Sequence, residues 1–427
     1  MRVLHTADWH FGKTLGGRDR LPEQRAFVDE LCRICADERV ELVLMAGDAF
    51  QSSNPSAQAE ELFYEALHRL SADGARAVVV IAGNHDSPER LPASAPLAER
   101  YGITLIGLPK DEIRPTGSAG GARVQRVAAG PSWLELTVPG CGHGAIVAAL
   151  PYPSEQRLNE LLSTSHDEGQ LQASYEARVR ALLEELAGHF RADAVNLVMT
   201  HVYVRGAVES ESEVQIQLGG AYAVGPDVFP SGAQYVALGH LHRPQAVAGS
   251  PVPARYAGSP IAYSFSEADG QKSVVLVEVE PGSPAVVREI PLTCGLPLVR
   301  WRATEGLDQV RQWVAQERDV RAWIDLEVHT EHELSPAELQ ELRRLRDFVQ
   351  IRPVVQGGSG AQETDFSLVG LSPEELFIRF YWRQKGSAPK EQLVTMFAQF
   401  ALDSAFAGDA ADTGDDGGAG QDGEAGT

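Results

Sequence analysis

Residues 1–12 read MRVLHTADWHFG: an apolar run, Val3-Leu4-His5-Thr6-Ala7, that delivers Asp8 and His10. Such a run suits a buried strand. Four more segments repeat the arrangement. Leu42-Val43-Leu44-Met45-Ala46 leads to Gly47-Asp48, and Val78-Val79-Val80-Ile81-Ala82 leads to Gly83-Asn84-His85-Asp86. Leu197-Val198-Met199-Thr200 leads to His201, and Tyr235-Val236-Ala237-Leu238 leads to Gly239-His240-Leu241-His242. Open α/β sheets present ligand-binding residues at the carboxyl ends of their strands. The five clusters are therefore expected to converge on one crevice.

Around these strands the chain alternates with helical patterns at Pro22–Cys35, Ala57–Leu70 and Ala173–His189, which makes the fold class α/β. Residues 110–142, rich in Gly, Pro, Arg and Val, read as short strands and loops inserted in that pattern. We expect a first domain over 1–275 and a second, small α/β domain over 290–356. The second reads as strand Leu298–Arg302, helix Leu307–Gln316, strand Ala322–Val328, helix Pro336–Leu345 and strand Phe348–Val354. Ser335-Pro336-Ala337-Glu338 marks a helix start, with Ser as cap, Pro at the first helical position and Glu three residues after the cap. A Gly-rich linker is expected over 357–371 and a helical region over 372–407. Its first helix places Leu376, Phe377, Phe380 and Tyr381 on one face, and its second Leu393, Met396, Phe397 and Phe400. Residues 408–427, Gly, Ala and Asp with almost no apolar bulk, are expected to be disordered.

The chain has 427 residues, 43% hydrophobic and 22% charged, an ordinary globular composition. Apolar runs stay below ten residues, too short to span a membrane, and the opening residues lack the pattern expected of a signal peptide. Cys32-x-x-Cys35 has metal-like spacing, but it lies in a helical pattern without a second pair. It reads as two buried helix cysteines, and a cytoplasmic, nucleoid-associated location is expected. The net charge is −22, of which Asp409, Asp412, Asp415, Asp416, Asp422 and Glu424 contribute six negative charges. An acidic chain does not grip DNA through its global field. Any such affinity must be local, metal-mediated or supplied by a partner.

Together the clusters offer Asp8, Asp48, His10, His201, His240, His242 and Asn84, which are carboxylate, imidazole and amide donors without thiolate. That set suits hard divalent ions such as Mn²⁺ and is about enough for two ions sharing a ligand. Two ions roughly 3.5–4 Å apart activate a water and neutralise charge developing on a phosphoryl group. Singly, Gly47-Asp48 is a common turn and His201 a common core histidine. The two longer clusters are more specific, because adjacent polar residues after a buried strand are costly without a purpose. Gly12-Lys13-Thr14 imitates the end of a P-loop, but Ala7 stands where the first glycine is required.

The ordered set D-x-H, GD, GNHD, H, GHxH resembles the calcineurin-like metallophosphoesterase superfamily. The opening segment, the length and the domain plan are similar to its double-strand-break nucleases, which work with an ATPase. The resemblance implies a central β-sandwich flanked by helices, a capping domain at 290–356, and C-terminal helices that bind the coiled-coil base of an SMC-like ATPase. Carried over residue by residue, Asp8, His10, Asp48 and His242 hold one metal, and Asp48, Asn84, His201 and His240 the other. His85 acts on the scissile phosphate and helps protonate the leaving oxygen. Asp86 orients His85 or caps the following helix. Gln51 stands where part of the family has a further histidine.

Lys13, Arg18 and Arg20 either touch the DNA backbone or form a solvated basic loop. The implied activity is a Mn²⁺-dependent nuclease, a 3′–5′ exonuclease on duplex ends and an endonuclease on hairpins, homodimeric within a heterotetramer. The stripe Leu62, Phe63, Ala66, Leu67 and Leu70 is one candidate dimer surface and equally a candidate core face. The competing readings are a phosphatase or cyclic-nucleotide phosphodiesterase on the same core, and a non-catalytic DNA tether.

Overall fold

The computed structural model describes residues 1–117, 121–163, 167–213 and 222–355, with Phe377, Ile378, Tyr381, Pro389, Leu393 and Val394 beyond them. The chain divides into two compact units, one of 1–328 with 334–351 and one of 329–333 with 352–427.

In chain order, β1 (Arg2–Thr6), α1 (Leu21–Asp37), β2 (Leu42–Met45), α2 (Ala57–Ser71), β3 (Ala77–Ile81), α3 (Ala95–Ala98) and β4 (Ile103–Ile106) build the first half. Then come β5 (Gln125–Gly130), β6 (Trp133–Thr137), β7 (Ala145–Leu150), α4 (Glu155–Leu158), α5 (Glu168–Ala187) and β8 (Val195–His201). The short β9 (Tyr203–Val204) and β10 (Ala223–Val224) pair with each other, and β11 (Tyr235–Gly239), β12 (Gln245–Ala246) and β13 (Ala254–Tyr256) follow. Finally β14 (Ser273–Glu278) and β15 (Val286–Pro291) return to the first sheet.

That sheet runs β15-β14-β1-β2-β3-β4, parallel from β1 to β4 and antiparallel at β14 and β15. The second runs β12-β13-β11-β8-β7-β6-β5, with β13, β11, β8 and β7 parallel. The segment 110–142 carries the short strands expected of it, β5 and β6, and they form an edge of this sheet. Nor does the first domain close at 275. Strand β14 pairs through Glu278 and β15 through Pro291, satisfying the backbone of an edge that β1 would otherwise expose.

The apolar runs lack alternation because both faces of each sheet are covered. Val3, Leu42, Leu44, Val79 and Ile81 of the first sheet pack with Val147, Leu197, Met199 and Ala237 of the second. On the outer face of the first sheet, Leu4, Val43 and Val80 meet Phe27, Leu31, Phe63 and Leu67 of α1 and α2. On the outer face of the second, Val198 and Leu238 meet Val179 and Leu183 of α5. The result is a helix–sheet–sheet–helix sandwich. The stripe Leu62, Phe63, Ala66, Leu67 and Leu70 is core, each residue at most 2% exposed. Cys35 is buried and Cys32 half-buried in α1.

The smaller region consists of β16 (Leu298–Ala303), α6 (Leu307–Ala315), β17 (Trp323–Thr330), α7 (Pro336–Leu345) and β18 (Gln350–Val355), with sheet order β16-β17-β18. Ser335 and Glu338 form the expected reciprocal cap of α7. Trp301, Ile324, Leu326 and Leu342 are among its core residues. The linker 357–371, the tail 408–427, and Leu376, Phe380, Met396, Phe397 and Phe400 lie outside the described residues. Phe377, Tyr381 and Leu393 are helical, and the rings of Phe377 and Tyr381 lie 6.0 Å apart. No helix among the described residues is long and apolar enough to cross a membrane.

Candidate metal centre

The carboxyl ends of β1, β2 and β3 meet those of β8 and β11, so the clusters come from two sheets rather than one. The loops are zipped together by backbone. Asp8 N–H donates to Gly47 O at 3.0 Å, His10 N–H to Asp48 O at 3.0 Å and Phe11 N–H to Ala49 O at 2.9 Å. Asp8 (φ 54°), His10 (φ 46°), Asp48 (φ 54°) and His240 (φ 107°) all take positive φ. Each such residue costs about 1–3 kcal/mol, and strain of this kind gathers at functional sites. The glycines do more than allow turns. Gly47 (φ +94°) is the one that needs left-handed backbone; a Cβ on Gly83 would enter the Asp48 carboxylate, and one on Gly239 would strike Ala46 O.

Asp48 lies at the centre. Its Oδ1 accepts the backbone N–H of His85 at 2.9 Å, while Oδ2 lies 3.5 Å from His201 Nε2 and 3.6 Å from His10 Nε2. On one side, His10 Nε2 and His242 Nε2 are 2.9 Å apart. On the other, Asn84 Oδ1 lies 2.8 Å from His201 Nε2 and 3.1 Å from His240 Nδ1. Asp8 Oδ1 accepts the backbone N–H of His240 at 2.9 Å. All seven expected donors are thus brought together. Among the described residues, two groups could each hold a metal ion, Asp8 with Asp48 and His201, and Asp48 with His10 and His85, their donor atoms within 4.8 Å of one another.

Acceptors facing acceptors suit a cation. His201 Nδ1 is committed to Ala46 O at 2.8 Å, so in the neutral ring Nε2 carries a lone pair towards Asp48. Asp8 Oδ2 and His10 Nδ1 are buried with no hydrogen-bond partner among the described residues, a state that is costly unless something else satisfies it. The two carboxylates favour positive charge here, on a bound ion or on the His201 ring itself. Burial pulls the His201 imidazole down, but Asp48 and then Asp8 outweigh it and carry the ring up to about 9. Burial pushes Asp8 well above the usual carboxylate range, whereas His201, His85 and His10 overcome burial and hold Asp48 well below it. Burial pulls His240 down to about 3 and His242 to about 4, leaving their rings neutral and available as ligands.

His85 Nδ1 donates to the backbone O of Gln51 at 3.0 Å, and its ring stands edge-on to His10 at 4.9 Å. Asp86 takes neither expected role. It accepts the backbone N–H of Phe50 at 3.0 Å, of Gly83 at 2.9 Å and of Ala49 at 3.2 Å, joining the second and third clusters. All three donors are loop amides, none of them the His85 ring or the first turn of a helix. The expected basic loop is also different. Arg20 is fully buried against Glu23, donates to Ala262 O at 3.0 Å and lies over the rings of Tyr263 and Trp323. Arg18 is bound by Asp347 at 2.5 Å and by Val349 O at 3.1 Å. Lys13 is half-buried, with Nζ 5.2 Å from the centre of the Tyr263 ring.

Several supporting residues carry no local signal in the sequence. Arg157 donates to the carbonyls of Gly83 at 2.7 Å and Asp86 at 2.6 Å, clamping the loop that bears Asn84 and His85. Glu213 accepts from the backbone of Ser210 at 2.6 Å and from that of His242. Burial pushes Glu213 up to about 7. Glu267 is buried too, yet Lys272 and His242 hold it well below the carboxylate range. Tyr263 accepts from Gln24 at 3.1 Å and donates to Trp9 O behind His10. A polar residue before a 3₁₀ turn or in a loop is too common for any of these to stand out.

Two sheets packed face to face, with carboxylate, amide and imidazole donors meeting at their strand ends, define a metal-site α/β sandwich. Residues 1–244 match the calcineurin-like phosphoesterases, and residues 294–385 match the type 5 capsule protein repressor C-terminal domain. The SbcD subunit of nuclease SbcCD from Bacillus subtilis (strain 168) is 45% identical over 403 residues, covering 94% of this chain and 98% of its own. The protein of the same name from Rhodobacter capsulatus is 36% identical, covering 70% and 71%. That of Escherichia coli (strain K12) is 28% identical, covering 89% and 92%. The chain belongs to the SbcD family of calcineurin-like phosphoesterases.

Proposed function

We propose that this chain is a Mn²⁺-dependent DNA nuclease, a 3′–5′ exonuclease on duplex ends and an endonuclease. It works in DNA end processing as a homodimer with an SbcC-type ATPase, in a nucleoid-associated heterotetramer. The observation that carries the reading is Asp48 Oδ2 lying between His10 Nε2 at 3.6 Å and His201 Nε2 at 3.5 Å, one carboxylate oxygen shared by two donor groups. Asp8, His10, Asp48 and His242 would hold one ion, and Asp48, Asn84, His201 and His240 the other. Bound there, such ions supply Lewis acidity and a water acidic enough to attack phosphate at neutral pH.

The remaining chemistry belongs to the chain. Gln51 O fixes the Nδ1 proton of His85 and so directs its Nε2 as the second proton-bearing atom. From Nε2 a proton passes to the departing oxygen, so that it leaves as a hydroxyl rather than as an alkoxide. Asp48 Oδ1, by accepting His85 N–H at 2.9 Å, ties this residue to the shared carboxylate. Arg157 holds the same loop from outside. Phe377, Tyr381, Leu393 and their neighbours in 372–407 supply the ATPase-binding surface.

The test is degradation of linear duplex DNA by purified protein with Mn²⁺, with Mg²⁺ and with neither, in the presence and absence of an SbcC-type ATPase. We expect Mn²⁺-dependent release of nucleotides from 3′ ends. A protein that hydrolyses phosphomonoesters or cyclic nucleotides but leaves DNA intact is a phosphatase or cyclic-nucleotide phosphodiesterase. One that binds DNA ends and the ATPase without cutting is a tether.

A further inference from the structure

His242 Nδ1 lies 2.7 Å from Ser212 Oγ, which in turn lies 2.7 Å from Glu267 Oε1 and 2.8 Å from Ser210 Oγ. Glu267 Oε2 is paired with Lys272 Nζ at 2.6 Å, and both side chains are buried. Counting protons decides the direction. A carboxylate only accepts, so the one hydroxyl proton of Ser212 goes to Glu267. Ser212 Oγ must then accept from His242, whose single ring proton is held on Nδ1. The lone pair is left on Nε2, the atom that faces His10 Nε2 at 2.9 Å. Lys272 also donates to His242 O at 2.8 Å and to Ser259 Oγ at 2.8 Å, so it fixes the backbone and the carboxylate that serve the same ring.

We infer that Ser212 is a positioning residue for metal binding, relaying Glu267 to His242 so that Nε2 is presented to the ion shared with His10. Ligating histidines are commonly held by a carboxylate or carbonyl on the far nitrogen. Here the hydroxyl makes the short contact, 2.7 Å from Nδ1 against 3.5 Å for Glu267 Oε1 itself, so one oxygen atom bears on one of the two proposed ions and not the other. The partner of His201 on the opposite side is a backbone carbonyl, Ala46 O, which no side-chain substitution removes. The inference rests on the two-metal reading but is measured by metal occupancy, not by cleavage.

The experiment is Mn²⁺ titration of the full chain by equilibrium dialysis and electron paramagnetic resonance, with Ser212→Ala and Ser212→Thr beside wild type. Ser212→Ala should weaken one of the two Mn²⁺ ions by roughly 10–100-fold, leave the other unchanged, and abolish the spin coupling of the pair. Ser212→Thr, which keeps the hydroxyl, should restore both. Unfolding of the metal-free protein should be alike in all three. The inference is overturned if Ser212→Ala binds both ions as wild type does, or if both ions are lost and Thr does not rescue them. Wild type that binds no Mn²⁺ overturns the two-metal reading and this one with it. Wild type that binds two ions and cuts no DNA overturns only the nuclease reading.

Discussion

Asp86 Oδ1 lies 3.0 Å from the backbone nitrogen of Phe50, so the last residue of the third cluster holds the second cluster in place. Its other oxygen accepts from Ala49 and Gly83. Asp86→Asn can satisfy only part of this set and turns an amide N–H₂ towards backbone donors. We expect a loss of about 1–3 kcal/mol, the cost of a buried unsatisfied group, and weaker Mn²⁺ binding in proportion. Chemical denaturation of the metal-free protein checks the first and dialysis the second. Full stability with lost cleavage would return Asp86 to a catalytic role.

His85→Ala should behave in the opposite way. The seven proposed ligands keep their places, so metal content stays at the wild-type level while DNA cleavage falls on the order of a hundred- to ten-thousandfold. Metal analysis and single-turnover cleavage on one preparation separate the two effects. A variant that cuts normally removes His85 from the chemistry, and one that loses metal makes it a ligand.

Arg20→Ala should destabilise the fold rather than weaken DNA binding. Glu23 Oε2 also accepts the N–H of Leu296 at 2.6 Å, and its Oε1 accepts the indole N–H of Trp323 at 2.8 Å. Removing the guanidinium leaves that carboxylate buried without its counter-charge, a change worth about 3–5 kcal/mol. Denaturation midpoints test this. A stable variant whose DNA affinity loses salt dependence would put Arg20 on the phosphate backbone after all.

Gly83→Ala tests the close approach behind the shared carboxylate. An added methyl enters the space of the Asp48 side chain and backbone nitrogen, so Asp48 must move. We expect about 1–3 kcal/mol of overpacking strain and loss of both metal ions together, because Asp48 is common to both groups. Loss of one ion alone would show that Asp48 is not shared.

Much of this protein is legible in local order alone. A run of apolar residues that ends in Gly-Asp or Gly-Asn-His announces both a buried strand and a polar site, since strand and site are adjacent in the chain. The Ser335–Glu338 cap is likewise written within four residues. What local order cannot say is which strands pair. That β1 to β3 lie in one sheet and β8 and β11 in another was decided by long-range pairing, and the crevice exists only where those sheets meet.

The same limit separates His5 from His201. Both sit in apolar strands, but His5 is satisfied by Tyr235 Oη at 2.9 Å and Leu238 O at 3.1 Å, whereas His201 Nε2 faces Asp48. Arg20 reads as solvated because its neighbours in sequence are polar; Tyr263, Trp323 and Ala262, all distant in the chain, bury it. The Glu267–Ser212–His242 relay and the Asp86 brace have no sequence signature for the same reason. By itself the sequence determined the strands and the carboxylate, amide and imidazole residues at their ends. Tertiary structure decided which atoms of those residues point inward, because that depends on partners tens to hundreds of residues away.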